Sequence, residues 1–136
     1  MISFRPFAGD DLPALRSWLQ REHVSLWWRE PIEHELAHTI EGRFVIVVDG
    51  RDVGMIQTYD GEVDLLIGEE EFTGRGLGPA ILAKFVAEVV ETDVVFATVE
   101  EANRRSWRAF EKAGFRHVRD VVEDDRPHRL MRLDRG

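Results

Sequence analysis

The chain contains no cysteine. This excludes disulfides, thiolate metal sites and cysteine nucleophiles together, and it fits a reducing compartment. Long hydrophobic runs are also missing: none approaches the roughly 20 residues that span a bilayer. The start, Met1-Ile2-Ser3-Phe4-Arg5-Pro6, lacks the apolar stretch of a secretory signal. There are no repeats, no low-complexity tracts and no long Pro/Gly/Ser linker. Positive charge is in deficit, with 26 acids against 18 bases and a net of −8. Phosphate-backbone affinity needs clustered Lys and Arg, so an acidic body argues against nucleic acid. The expectation is a soluble, cytoplasmic protein with no nucleic-acid and no membrane partner. What remains is ordinary for a globular chain: 136 residues, 43% hydrophobic and 32% charged. Such a length predicts one domain over residues 1–136, able to bury about two-thirds of its unfolded surface without staples.

The charge is unevenly placed. Residues 104–136 carry 10 bases and 6 acids, a net of +4, which leaves −12 for residues 1–103. Many soluble proteins are simply acidic. The sharper reading is a cationic ligand at the acidic part and an anionic one near the basic end.

Hydrophobic spacing predicts the elements. Ile2–Pro6 reads as a strand, and Asp10 and Asp11 offer an N-cap for a helix carrying Leu12, Leu15, Trp18 and Leu19 to about Arg21. Pro31 opens a short helix with Ile32, Leu36 and Ile40 along one side. Three antiparallel strands follow, Arg43–Asp49, Val53–Tyr59 and Val63–Gly68, joined by the turn signals Asp49-Gly50 and Asp60-Gly61. Gly76–Glu91 is strongly helical, Val94–Val99 is a strand, and Asn103 to Ala113 is a helix stopped by Gly114. Phe115–Val122 and Leu130–Leu133 are the last strands, with a polar loop at Glu123–Pro127 between them. The order gives an α/β fold, a mixed sheet with helices on its faces.

Thr73-Gly74-Arg75-Gly76-Leu77-Gly78 lies between a strand and the strong helix. Glycines let the backbone approach a ligand, and unpaired N–H groups of the helix's first turn favour a phosphate or pyrophosphate. A tight turn without a ligand would use the same residues. Neither the Walker pattern nor G-x-G-x-x-G is present, the third glycine falling one residue early for the latter. The glycines also follow antiparallel hairpins rather than the first strand of a parallel sheet.

This loop resembles the Gln/Arg-x-x-Gly-x-Gly/Ala signature of the GNAT superfamily of acyl-CoA-dependent N-acyltransferases. The later family motif, Asn-x-x-Ala-x-x-x-Tyr-x-x-x-Gly-Phe, is matched by Asn103-Arg-Arg-Ser106-Trp107-Arg-Ala-Phe110-Glu-Lys112-Ala-Gly114-Phe115. The order and separation of the two motifs agree, and the similarity spans nearly the whole chain. Within the superfamily the chain is similar to aminoglycoside 6'-N-acetyltransferases and to relatives that acylate hydroxylysine arms of siderophores. The cues are Leu15, Trp18-Leu19, His23-Val24, Trp27-Trp28, Gly54, Gln57, Tyr59, Val63-Asp64 and Leu130-Met131. Three departures stand out. Thr73 replaces Gln or Arg. Phe110 replaces the Tyr that often protonates the departing thiolate. Only Asp60–Val63 separate Tyr59 from Asp64, where aminoglycoside enzymes often carry an insertion.

The resemblance implies a mostly antiparallel central sheet with a splay between the fourth and fifth strands. It implies acetyl transfer from acetyl-CoA to a primary amine of a small, cationic, aminoglycoside-like acceptor by direct attack. The amine must lose a proton, against about three pH units or roughly 4 kcal/mol. Asp64 is the expected proton acceptor, with Glu69, Glu70 and Glu71 behind it. A backbone N–H among Leu66, Ile67 and Gly68 would hydrogen-bond the thioester oxygen. Thr73, Gly74, Arg75, Gly76, Leu77, Gly78 and Pro79 would hold the donor's pyrophosphate. Asn103, Trp107, Phe110 and Lys112 would complete that site, with Arg104, Arg105 and Arg108 near a CoA phosphate. His23, Trp27, Trp28, Tyr59 and Asp64 would line the acceptor pocket. Alternatives are a siderophore precursor or a protein N-terminus as acceptor, and a CoA-binding sensor without catalysis. A homodimer is compatible with the superfamily. His34-Glu35-Leu36-Ala37-His38 fits the zincin spacing H-E-x-x-H, but a metallopeptidase needs a third ligand and a larger fold, so no metal is expected.

Overall fold

The computed structural model describes residues 1–37 and 41–135. Seven strands form one sheet in the order β1-β2-β3-β4-β5-β7-β6. The strands are β1 (Ile2–Pro6), β2 (Arg43–Val48), β3 (Arg51–Tyr59), β4 (Glu62–Ile67), β5 (Val94–Glu100), β6 (Arg116–Glu123) and β7 (Arg126–Asp134). The β4–β5 pair is parallel and registers a single pair, Glu62↔Phe96. The helices are α1 (Leu12–Leu19), α2 (Glu22–Ser25), α3 (Ile32–Ala37), α4 (Leu77–Glu88) and α5 (Arg104–Lys112). This is the mixed α/β architecture expected from the sequence.

Contacts divide the chain into two compact units, Met1–Gln57 with Asp64–Thr73, and Thr58–Val63 with Gly74–Gly136. In the first, Leu15, Trp18 and Leu19 of α1 are buried with Phe7, Val24, Val45, Met55 and Leu66. Helical spacing of the apolar residues decides which face of α1 turns inward. Ile32 and Leu36 pack against the same cluster; Ile40 lies outside the described residues. The Asp11 carboxylate does not cap α1. It takes the Arg5 guanidinium at 2.8 and 3.0 Å and the Ala8 N–H at 2.8 Å.

In the second unit, Ile81, Leu82, Phe85 and Val86 of α4 are buried, as are Val95, Ala97 and Val99 of β5. The helix α4 runs from Leu77 to Glu88, stopping three residues before the expected Glu91. The helix α5 ends as its glycine predicts. Gly114 has φ 104°, and the bonds Phe115 N–H to Phe110 C=O and Gly114 N–H to Glu111 C=O close the last turn.

Hairpin turns account for one misreading. Asp49-Gly50 and Asp60-Gly61 adopt positive φ at both residues, as read. Asp124-Asp125 does the same, at φ 51° and 62°, without any glycine. The segment read as a loop is therefore a two-residue turn, and β7 begins at Arg126 rather than Leu130. The short α2 was also not foreseen.

Candidate active site

The glycine loop enters α4 through two left-handed residues, Gly74 at φ 68° and Gly76 at φ 74°. Gly76 is the N-cap and supplies no side-chain cap. The N–H groups of Leu77 and Gly78 therefore have no acceptor within the helix, and Pro79 has no N–H to satisfy. A Cβ on Gly76 would meet nothing within 4 Å, so its backbone lies open. Gly78 has another reason to be glycine: a Cβ there would press on Ala109 of α5 at 3.2 Å. The Arg105 guanidinium comes within 3.9 Å of a Cβ built on Gly74, which puts one positive charge beside the loop. The Thr73 hydroxyl is already bonded to the Glu70 carbonyl at 2.7 Å.

Asn103 occupies the N-cap of α5, and its carbonyl accepts from Ser106 and Trp107. Its carboxamide makes no capping bond, so that side chain is left for another use. Trp107 is anchored instead. Its indole N–H donates to the Glu101 carbonyl at 3.0 Å, and the Arg129 guanidinium lies 3.8 Å from the ring centroid. Arg129 also grips the Glu101 carboxylate at 2.6 and 3.1 Å. That hydrogen bonding holds the Glu101 carboxyl below its ordinary range. Phe110 is 2% exposed, with its ring edge-on to Phe115 at 5.0 Å. Lys112 is exposed in the last turn, and Tyr59 is 81% exposed at the end of β3.

The first unit holds the other expected residues. Gly68 donates its N–H to the Val53 carbonyl at 2.8 Å, and Leu65 donates to the Asp64 carboxylate at 2.9 Å. Successive N–H groups of a strand point to opposite sides. Gly68 points to β3, so Ile67 directs its N–H to the other edge of β4, away from β3. Asp64 is exposed, its carboxylate folded back on the Leu65 N–H.

Side chains clamp the end of β4. His23 Nε2 donates to the Ile67 carbonyl at 2.9 Å, and Arg21 donates to the Gly68 carbonyl at 2.8 Å. Arg21 and the Trp18 indole N–H both bind the Glu69 carboxylate. His23 Nδ1 lies 3.5 Å from the exposed Glu70, and Glu71 pairs with Arg51. Gly68 makes room for Trp18, since a Cβ there would land on the indole. Arg21 is absent from the residues the sequence marks, and Glu69, expected there only as a proton acceptor behind Asp64, is held by Arg21 and Trp18; only convergence on one strand end shows these roles.

The paired tryptophans part company. Trp27 is exposed, whereas Trp28 is half-buried and donates its indole N–H to Glu35 at 3.2 Å. Glu35 is buried against Arg43, which also donates to Gln57 at 3.1 Å. The zincin spacing thus has its glutamate tied to an arginine, and His34 pairs with Glu30. His38 lies outside the described residues. Among the described residues no cluster could hold a metal ion.

The model of the acetyltransferase (GNAT) domain matches residues 8–122, most of the chain. The chain belongs to the GNAT acetyltransferase family. Solved structures share the fold. Aminoglycoside acetyltransferase AAC(6')-Ib, solved with coenzyme A and kanamycin, superposes at a TM-score of 0.83 with 23% identity. That match covers 99% of this chain and 95% of that one. An aminoglycoside N(6')acetyltransferase from Legionella pneumophila gives 0.81 at 18% identity, covering 98% and 91%. Spermidine N-acetyltransferase from Vibrio cholerae, solved with CoA and spermine, gives 0.77 at 14% identity, covering 98% and 95%. No curated protein sequence matches the chain.

As a GNAT enzyme the protein is an acetyl-CoA-dependent N-acetyltransferase. The start of α4 has no side-chain cap and glycine at Gly76 and Gly78, so it offers open main-chain N–H groups and the positive end of a 12-residue helix, chemistry that suits an anionic group. No described helix is long and apolar enough to cross a membrane.

Proposed function

We propose that this GNAT enzyme acetylates a primary amine on a small, polycationic acceptor, an aminoglycoside or a compound of that kind. The observation that carries the reading is net negative charge concentrated in one part of the chain. Residues 1–103 hold a net −12, Asp64 is exposed on β4, and Glu70 is exposed beside the strand end clamped by Arg21 and His23. A polyamine is attracted to such a surface, and its ammonium needs a carboxylate to take the proton. Structures of similar fold, solved with kanamycin and with spermine, support an acceptor of this class.

The donor is held by the main chain of Gly74 to Gly78, with Arg105, Asn103 and Lys112 as further contacts. Asp64 accepts the proton as the amine nitrogen attacks the thioester carbon. The Ile67 N–H stabilises the oxyanion, since Gly68 and Leu65 already donate elsewhere. The C–S bond then breaks and CoA leaves as thiolate. With a thiol pKa of about 8.5 this leaving group needs little help near neutral pH, so Phe110 in place of Tyr is tolerated. His23, Trp27 and Trp28 are the proposed contacts to the acceptor.

Free-thiol release from acetyl-CoA, measured across a panel of aminoglycosides, polyamines, N-hydroxylysine and peptide N-termini, tests the reading. Turnover with polycationic sugars or polyamines is expected. Turnover confined to N-hydroxylysine or peptides would replace the acceptor. Binding of acetyl-CoA with no turnover for any amine would favour a CoA sensor, the reading that Phe110 and the short Asp60–Val63 connection suggest.

A further inference from the structure

The glutamate of the H-E-x-x-H spacing has no part in the chemistry so far, yet it sits in the core. Glu35 of α3 and Arg43 of β2 are paired, with side chains 4% and 2% exposed. Among the described residues they are the buried charged ones. Two charges withdrawn from water seldom gain stability over apolar side chains of similar volume. The arginine is also incompletely matched. Its Nη2 meets Glu35, its Nε donates to Gln57 at 3.1 Å across the β2–β3 pair, and the guanidinium lies 5.4 Å from the Phe7 ring centroid. Its Nη1 is buried with no hydrogen-bond partner among the described residues. A buried donor left unpaired costs stability, so the pair needs another reason to be there.

The other carboxylate oxygen supplies one. Glu35 Oε1 faces Arg43, and Oε2 accepts the Trp28 indole N–H at 3.2 Å. An indole has a single donor, so holding it fixes the direction of the whole ring. A charged acceptor makes that bond stronger, and Arg43 compensates the charge and keeps the carboxylate from turning. The Trp28 main chain is held separately. Its N–H donates to the Val24 carbonyl at 2.8 Å, next to His23, which bonds the Ile67 carbonyl at the end of β4. Trp28 is therefore tied to α2 by its backbone and to α3 by its ring. The ring stays half-buried, with part of its surface open, and neighbouring Trp27 is exposed.

We propose that Glu35 is a positioning residue for acceptor recognition: braced by Arg43, it fixes the Trp28 indole as a rigid wall against which the cationic acceptor lies. The inference rests on the reading that Trp28 contacts the acceptor.

Titration calorimetry of the CoA-loaded protein with kanamycin and with spermine tests this, together with the indole peaks in nitrogen–proton NMR spectra. Four indole peaks are expected from four tryptophans, and Trp28→Phe assigns one by deleting it. In the wild type that peak should move as the polycation binds. Glu35→Leu with Arg43→Met replaces the pair by apolar side chains. Its melting temperature should hold, while acceptor affinity falls roughly tenfold and CoA affinity stays within about twofold. Trp28→Phe should weaken the acceptor alike. The triple variant should be no weaker, because Glu35 acts through the indole. Glu35→Gln conserves shape and serves if the double variant fails to fold: it should shift the Trp28 peak and weaken the acceptor in the same direction. Acceptor affinity unchanged in the double variant, losses that add in the triple one, or a Trp28 peak indifferent to Glu35→Gln would overturn the inference while leaving the acceptor reading in place. Binding of neither polycation would overturn the acceptor reading, and the inference with it.

Discussion

Glycines in this protein are present for different reasons, and the reasons predict different mutant behaviour. Gly76 is left-handed with open space around it, so Gly76→Ala brings backbone strain of roughly 1–2 kcal/mol and a methyl group where the ligand approaches. Affinity for CoA should fall roughly tenfold by calorimetry; unchanged affinity would detach this backbone from donor binding. Gly54 instead lies against β4, where a Cβ would land on the Leu66 carbonyl. Gly54→Ala should therefore lower the melting temperature before it changes donor affinity. Asp64→Asn should cut kcat while leaving the CoA dissociation constant within about twofold, because the carboxamide keeps an acceptor for the Leu65 N–H but cannot take a proton. A kcat equal to wild type would remove Asp64 from the chemistry. At this scale the sequence was legible where one residue implies one conformation, as at Gly114, whereas Gly76, expected as the first residue of the helix, is its left-handed N-cap. It was illegible at Arg21 and Glu69, which meet across 48 positions of sequence.

Periodic elements were legible because their apolar spacing has a single solution. The helix α1 buries Leu15, Trp18 and Leu19, and α4 buries Ile81, Leu82, Phe85 and Val86, all drawn from the positions that their spacing marked. The hairpin β6–β7 was not legible, because Asp124-Asp125 lacks the glycine that usually signals a left-handed turn. The Trp107–Arg129–Glu101 contact joins α5 to β7 across a wide gap in sequence and leaves no periodic trace. Phe110 ties α5 to the residue that follows its glycine stop, ring against ring with Phe115. Phe110→Ala should cost about 3–5 kcal/mol. In a domain of this size that lowers the melting temperature by on the order of 10 °C. A shift of a degree or two would show the ring to be peripheral.

At the scale of the molecule, charge links stability to pH. The Asp11 carboxyl is held below its usual range, first by the hydrogen bond from Arg5 and then by the Ala8 N–H. A carboxylate depressed on folding stabilises the protein above its unfolded pKa of about 3.9, and that contribution disappears as pH falls through the lower folded value. Glu101 is depressed in the same direction by Arg129. Melting temperature should therefore drop steeply below about pH 4. Asp11→Asn should melt lower at neutral pH and lose less on acidification; a parallel pH profile would show that the Arg5 contact contributes nothing. The division of charge, −12 over residues 1–103 and +4 over 104–136, was fully visible in the sequence. Its use was not, since only the geometry shows Arg105 beside the glycine loop and Glu70 beside the clamped strand end.

The central claim is that main-chain N–H groups between Gly74 and Gly78 hold the diphosphate of the acyl donor. Titration calorimetry with CoA and with pantetheine, which lacks the diphosphate, tests it most directly. Saturable one-to-one binding of CoA is expected, with pantetheine at least a hundredfold weaker. Pantetheine binding as tightly as CoA, or CoA failing to bind at millimolar concentration, would contradict it.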